Sequence, residues 1–274
     1  MKTGTFFFAI LFIVSCANGK EKNYTGSTPA AKVIRSFLGI SLTDSIDFIR
    51  WKLMFTDNKY TLSCNYGIGK PNTNGFMEGG KKVELQGDLK KEKNVYRLMN
   101  GSMVLKMMEL NSDLLHLLNT DNTLLAGNGG WSYTLANINP LIDDKVSITA
   151  QKTILKDSMS FEGRTPCAVP GVIAEGKQCY KLKWYMVLHA DAKRNEPTTY
   201  KLYGTPYRNE GGRKGNWKII TGNDGRIIYQ LNDDSGNGFL YLLKLDEHIL
   251  VFTDAAGKLL AGNEDFSYTL NRRF

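Results

Sequence analysis

The chain repeats one of its own segments, and this duplication limits its possible folds more than any other feature of the sequence. Residues 124–135 read LLAGNGGWSYTL, and residues 259–270 read LLAGNEDFSYTL. Shorter matches precede these two segments in the same order along the chain, and among them Trp51 corresponds to Trp184. Ordered similarity over such lengths indicates two copies of one structural unit.

Each copy has the residue pattern of a sheet. In the second copy, residues 181–188 and 199–204 alternate apolar with polar side chains, which is typical of strands with one buried face. Between such runs lie short segments dense in Gly, Asn and Asp, as hairpin turns require. We therefore predict an all-β chain of two tandem small antiparallel β-barrels, each a meander of about six to eight strands. The first barrel is expected in residues 31–140 and the second in residues 141–274.

The amino terminus has the three parts of a secretory signal. A short basic start precedes an apolar run over residues 6–14, and polar residues follow from Asn18. This run is too short to cross a bilayer, which needs about 20 helical residues. It ends in Ile-Val-Ser-Cys, which resembles the bacterial lipobox, so we expect a signal peptide over residues 1–15 and a lipid on Cys16. Secretion without a lipid is the alternative.

A lipid on Cys16 would determine where the folded part of the protein works. Residues 16–30 contain hardly any large apolar side chain, and they predict a flexible tether behind the lipidated cysteine. Each buried methylene of palmitate-like chains contributes about 0.8 kcal/mol, so several chains hold a protein on a membrane. We expect an outer-membrane lipoprotein of the bacterial cell envelope, with its barrels on the periplasmic or the surface side.

The charge distribution argues against a nucleic acid partner. The formal net charge is +8, but the basic residues are scattered among acidic ones. The densest basic groups, at residues 81–82, 90–93 and 272–273, are not interleaved with aromatic residues as in a nucleic-acid-binding stripe. A solvated charged surface is the expected consequence, and a weak attraction to anionic lipid head groups is the alternative.

The second copy carries motifs of a known family. These are FEGRTPCA, a strand with Trp184, YKLYG, GNW and YQL, at residues 161–168, 200–204, 215–217 and 229–231. In this order they resemble the amino-terminal domain of NlpE-type copper resistance lipoproteins. The resemblance implies a small lipocalin-like barrel, a lipid anchor, and a role in envelope stress signalling and copper tolerance. The usual Cys-x-x-Cys pair of that family is broken here, because Pro170 stands at the position of the second cysteine.

The cysteines beyond Cys16 predict one structural link. Cys167 and Cys179 enclose a short loop in an oxidising compartment, and a disulfide between them would remove about 3 kcal/mol of unfolded-chain entropy. A metal site that uses both thiols is the alternative. Cys64 lies in an alternating run and is interpreted as a buried small apolar residue.

Two functions are consistent with this sequence, and neither needs catalysis. The sequence contains no nucleophilic-serine motif, phosphate-binding loop or recurrent pair of carboxylates, so we do not expect an enzyme. An envelope enzyme is therefore the third hypothesis, after the two that follow. The first reading is a binding or scaffolding module without a cofactor, which contacts an envelope protein or a small apolar ligand at a barrel mouth. The second is a copper-binding protein, in which Met99, Met103 and Met107 supply soft thioether ligands.

Overall fold

Two closed antiparallel barrels of eight strands each make up almost all of the computed structural model, which describes residues 21–140, 153–173 and 178–273. The predicted fold class is therefore confirmed. The expected signal peptide and the lipid-bearing Cys16 lie outside the described residues.

The first barrel contains β1 to β8 and one helix, α1, which follows β1. Their bounds are β1 Lys22–Thr28, α1 Lys32–Leu38, β2 Phe48–Thr56, β3 Lys59–Gly67, β4 Lys81–Glu92, β5 Val95–Asn100, β6 Met103–Asn111, β7 Leu114–Leu117 and β8 Thr134–Asn137. A short 3₁₀ turn, Met77–Gly79, precedes β4. Each strand pairs with the next one in sequence, and β8 pairs with β1 to close the barrel.

The second barrel repeats this order with β9 to β16. Their bounds are β9 Ser158–Thr165, β10 Leu182–Asp191, β11 Glu196–Gly204, β12 Arg213–Thr221, β13 Ile227–Asn232, β14 Gly238–Lys244, β15 Ile249–Thr253 and β16 Thr269–Arg272. A 3₁₀ turn, Thr205–Glu210, follows β11. Pairing of β16 with β9 closes this barrel in the same way.

The strands form where the sequence alternates, because successive side chains of a strand point to opposite faces. Along β10, Leu182, Trp184, Met186 and Leu188 are buried, while the residues between them are more exposed. Tight turns connect the strands, and the turn between β2 and β3 has Asp57 with φ of 51°, a conformation that Asp tolerates better than most residues.

Equivalent hydrogen bonds confirm that the two barrels are copies of one unit. The indole Nε1–H of Trp51 donates to Oγ1 of Thr28 at 2.8 Å, and that of Trp184 donates to Oγ1 of Thr165 at 2.9 Å. In both barrels the threonine hydroxyl donates in turn to the carbonyl oxygen of the following proline. The predicted correspondence of Trp51 with Trp184 is therefore correct.

The segment after the first strand packs against the core in both barrels, but by different means. In the first barrel this segment is α1, which is followed by the left-handed Gly39 and buries Ile34 and Phe37 in the core. In the second barrel it is the loop that contains Cys167 and Cys179, with Val169 buried. No helix within the described ranges is long and apolar enough to cross a membrane.

The predicted tether extends too far, because its last part is a barrel strand. Residues 22–28 form β1, which pairs with β2 along its whole length and with β8. The prediction was wrong because this strand has only one large apolar residue, Tyr24, and its other buried residues are small or polar. The first barrel thus begins at Lys22 and not at residue 31.

Candidate ligand-binding cleft between the barrels

Both barrels are filled by their own side chains. The first contains the fully buried rings of Trp51, Tyr60 and Phe37, and the second contains those of Tyr200 and Phe252. Close packing of this kind occupies the interior of a small eight-stranded barrel. Space for a ligand is therefore to be sought outside the two cores.

The barrels meet about a pseudo-twofold axis. The hydroxyl oxygen atoms of Ser132 and Ser267 lie 2.5 Å apart, and those of Thr134 and Thr269 lie 3.0 Å apart. In each pair, a residue contacts its own counterpart in the other copy, which is the mark of an isologous interface. These hydroxyl side chains point away from the two cores, because they alternate with core residues along the repeated segment.

Apolar side chains surround this axis and hold the barrels together. Their cluster contains residues from both copies, namely Leu110, Leu114, Ala136, Leu243, Leu245, Ile249, Val251 and Leu259. Polar contacts add to it, because Ser27 donates to the Glu264 carbonyl oxygen at 2.7 Å and Asn271 accepts from the Gly127 amide at 2.7 Å. The barrels thus share an apolar interface with polar links.

His116 lies within this interface and is fully buried. Its Nε2 is 2.9 Å from the Leu125 carbonyl oxygen, and its Nδ1 is 2.9 Å from Oγ1 of Thr134. Because a carbonyl only accepts, Nε2 carries the proton, and the Thr134 hydroxyl donates to Nδ1. Burial lowers the pKa of His116 to about 4, so the ring is neutral at neutral pH. This histidine is a structural part of the interface.

Matching turns place one aromatic ring from each copy beside the axis. Oδ1 of Asn128 accepts from the backbone N–H of Trp131 at 3.0 Å, and Oδ1 of Asn263 accepts from that of Phe266 at 2.9 Å. Such side-chain-to-backbone bonds fix a turn locally. Trp131 and Phe266 lie just before β8 and β16 and face a cleft.

This cleft lies between the two barrels and has a volume of about 430 Å³. It is lined by residues of both copies, namely Asp47, Phe48, Gly69, Lys70, Asn72, Thr73, Asn74, Trp131, Arg164, Tyr180, Lys181, Lys183 and Phe266. The lining combines aromatic rings with four cationic side chains and a single carboxylate. A positive, mainly polar cleft that also contains aromatic rings is suited to an anionic ligand.

The two aromatic positions have different partners in the two copies. Trp131 stacks on Phe48 with ring centroids 4.7 Å apart, and Phe48 stacks on Phe76 at 4.2 Å. In the second copy, the position of Phe48 is occupied by Lys181, whose ammonium lies 5.2 Å from the ring centroid of Phe266. The second copy therefore has a cation where the first has a ring.

The two halves of the interface also differ in charge. Nη2 of Arg50 donates to one oxygen of the Asp265 carboxylate at 2.5 Å, and Asn74 donates to the other at 2.6 Å. The repeat places Gly130 at the position that corresponds to Asp265. The counterpart of Arg50 is Lys183, because each lies next to the equivalent tryptophan in the matching strand. One half thus has an ion pair, and the other has only the cation.

Arg164 adds a further positive charge to the unpaired half. It is the cross-strand partner of Lys183, and its guanidinium lies 5.3 Å from the ring centroid of Trp131. Neither residue, nor Lys181, forms a salt bridge with a described carboxylate. Burial, followed by the positive charges of Arg164 and Lys183, lowers the pKa of Lys181, and Asp265 only partly opposes this.

The described cysteines differ in their bonding, since two of them form a disulfide and the third is free. Cys167 and Cys179 are joined by a disulfide with a Cα–Cα distance of 5.9 Å, so neither thiol is available to a metal. Cys64 is free and fully buried on β3, as expected for a small apolar residue.

The three methionines Met99, Met103 and Met107 lie in different environments of the first barrel. Met107 is fully buried in the first core, whereas Met103 is 47% exposed at the start of β6. Met99 is on the opposite face of β5 from the core residue Leu98, because side chains alternate along a strand. The three methionines therefore do not share one face of the sheet. In the described part of the chain, no group of three His, Cys, Asp or Glu residues is arranged to hold a metal.

A second and larger groove, of about 800 Å³, borders the same interface. It lies between the outer face of β1 to β3 and residues 261–264, and its charged lining residues are Lys52 and Glu264. Because one of these side chains is positive and the other negative, this groove lacks the excess positive charge that distinguishes the smaller cleft.

No protein family, curated protein or solved structure was found to match the chain. The functional argument therefore depends on the residues themselves.

Proposed function

We propose that the chain is a lipid-anchored binding protein of the bacterial envelope, and that the cleft between its barrels is the ligand site. One observation carries this proposal: both barrel interiors are filled, while an open cleft between them holds Lys70, Arg164, Lys181 and Lys183 against the single carboxylate of Asp47. Such an arrangement supports recognition of a ligand more than catalysis.

The proposal keeps the cellular role that the sequence suggests. The lipobox-like segment before Cys16 supports anchoring in the outer membrane, and the resemblance to NlpE-type lipoproteins supports a role in envelope stress signalling. A cleft between two barrels can also serve as a scaffold for an envelope protein. Copper binding has less support, because the methionines are separated and the cysteines Cys167 and Cys179 are bonded to each other.

The anchor is tested by lipid labelling of the full chain and its Cys16→Ala variant. The labelled wild-type protein should fractionate with membranes, and the variant should lose both the label and the membrane association. A variant that is still labelled would contradict the anchor.

Ligand binding is tested by equilibrium dialysis of the detergent-solubilised full chain against an envelope extract, with mass spectrometry of the enriched small molecules. Tyr180 is the most informative position, because its ring is 61% exposed and lines the cleft. Tyr203, 38% exposed on β11 and not part of the cleft, is the matched control. Enrichment should be lost with Tyr180→Ala and kept with Tyr203→Ala. No enrichment by the wild type, or equal enrichment by both variants, would contradict the proposed site.

A further inference from the structure

The internal symmetry of the interface indicates where an anion is missing. In one half, the Asp265 carboxylate accepts hydrogen bonds from Arg50 and Asn74. In the other half, Gly130 provides no side chain, although Lys183 stands at the position of Arg50 and Arg164 lies beside it. The same fold thus pairs its cation with a carboxylate on one side only.

Space for an anion exists at this point. A Cβ atom on Gly130 would lie 3.2 Å from Oδ1 of Asn128, which forms the turn, and 3.7 Å from both Cζ and Nη1 of Arg164. A group that occupies the place of the missing side chain would therefore be within reach of the guanidinium. The N–H donors of a guanidinium form a planar fork that suits carboxylates and phosphates.

We propose that Arg164, Lys181 and Lys183 bind the oxyanion of an organic ligand, a carboxylate or a phosphate monoester, in the position that corresponds to the Asp265 carboxylate. This inference rests on the proposed binding function and adds the chemical class of the ligand.

The neighbouring acids leave these cations available. Asp47 accepts from the backbone N–H of Gly69 at 2.7 Å, and Asp265 is held by Arg50. Glu162 is on the same face of β9 as Arg164, and its carboxylate lies against Gly129, where an added Cβ would be 2.3 Å from Oε1. The salt-bridge partner of this carboxylate is Arg273, at 4.0 Å, and not Arg164. Burial, followed by the positive charges of Arg164 and Lys183, lowers the pKa of Lys181, and a bound anion would offset the repulsion between these charges.

The rest of the ligand would meet apolar surface. The exposed ring of Tyr180 lies next to Lys181, whose ammonium is 5.3 Å from the ring centroid. Trp131 is half-buried, and its ring is covered by Phe48 and Arg164, so only its edge faces the cleft. A ligand with a ring beside its anionic group would contact Tyr180, and phenyl phosphate is the simplest probe of this kind.

The test is isothermal titration of the full chain in detergent with phenyl phosphate, benzoate and the neutral benzyl alcohol. Gly130→Asp puts a carboxylate into the proposed anion position, and Gly130→Asn adds a group of similar size without charge. The turn should accept either residue, since Asp265 occupies the equivalent turn position in the second copy. Phenyl phosphate or benzoate should bind the wild type. Both substitutions fill part of the anion position and should weaken this binding, but Gly130→Asp, whose carboxylate also pairs with the cations, should weaken it by about tenfold more than Gly130→Asn.

A second variant keeps the test decisive if both Gly130 substitutions disturb the turn. Arg164→Gln removes the guanidinium at a partly exposed position, and it should weaken binding of the anionic probes by a similar factor. Equal affinity of Gly130→Asp and Gly130→Asn, unchanged affinity of Arg164→Gln, equal binding of benzyl alcohol, or no binding of either anion to the wild type would each overturn the inference.

The oxyanion could belong to a soluble molecule or to a lipid head group, and competition separates the two sources. Displacement of phenyl phosphate by dihexanoyl phosphatidic acid, but not by dihexanoyl phosphatidylcholine, would assign the site to a lipid phosphate. Displacement by neither would assign it to a soluble anion. If the envelope extract yields a neutral ligand while these anions do not bind, the proposed function stands and the inference about charge fails.

Discussion

The buried His116 predicts a pH-dependent stability whose size follows from the structure. The ring is neutral in the folded protein because burial lowers its pKa to about 4, whereas an unfolded histidine has a pKa of about 6.5. Between these values the unfolded chain binds a proton that the folded chain does not. The free energy of unfolding should therefore fall as the pH decreases from about 6.5 to about 4, and this group alone accounts for about 3 kcal/mol.

The loss of stability at low pH follows from the hydrogen bonds of the His116 ring. A charged imidazole would need Nδ1 to donate to Thr134, whose hydroxyl now donates to that nitrogen, while Thr134 also contacts Thr269 of the second barrel. Protonation would reverse these hydrogen bonds and bury a charge between the barrels. The weakening should therefore affect the contact between the two copies.

His116→Val is the appropriate perturbation, since Val251 occupies the equivalent position in the second copy. At pH 7 the variant should lose about 1–2 kcal/mol, because the Leu125 carbonyl loses its hydrogen-bond donor. Urea unfolding of both proteins between pH 7 and pH 4 measures the difference in stability. Carboxylates titrate in both proteins and cancel in this difference.

The stability of the wild type relative to the variant should fall by about 3 kcal/mol between pH 7 and pH 4. The wild type, which is the more stable protein at pH 7, should therefore become the less stable one near pH 4. His189→Gln, which removes a half-buried histidine on β10, controls for the loss of any histidine. A difference between the wild type and His116→Val that does not change with pH would refute the reasoning.

Two further predictions concern the fold. Mass mapping under non-reducing conditions should find Cys167 joined to Cys179, and replacing both by Ser should cost about 3 kcal/mol because the link spans 12 residues; two free thiols in native protein would contradict the link. Gly163→Ala should destabilise the second barrel by about 1–3 kcal/mol, since its Cβ would lie 2.7 Å from the Thr269 carbonyl oxygen of β16. Gly75→Ala, with only Thr73 nearby at 3.5 Å, is the control and should be close to neutral by thermal unfolding.

The architecture could be predicted because the signals for it are local and repeated. Alternating side chains and Gly-rich turns indicated strands, and the repeated segment indicated two barrels. The strand β1 could not be recognised, because its sequence NYTGST looks like a tether. Its polar residues are buried by long-range contacts, such as the bond from Ser27 to the second barrel, which no local pattern reveals.

The candidate site was missed because it is created by the way the copies meet. Arg164 and Lys183 come from the second copy and Trp131 from the first, and only the pseudo-twofold contact brings them together. One signal was visible within the repeat, namely the exchange of Gly129-Gly130 for Glu264-Asp265. Without the interface, however, this exchange had no structural meaning. The methionines are close in sequence, but strand alternation places Met99 on the opposite face from Met103 and Met107.

A crystal structure of the full chain with 4-bromophenyl phosphate tests the central claim most directly, because the anomalous signal of bromine locates the ligand. We expect the bromine in the cleft beside Tyr180, and the phosphate about 3 Å from the guanidinium of Arg164, next to Gly130. A ligand in a barrel mouth or in the groove beside residues 261–264, with the Arg164 position empty, would contradict the account.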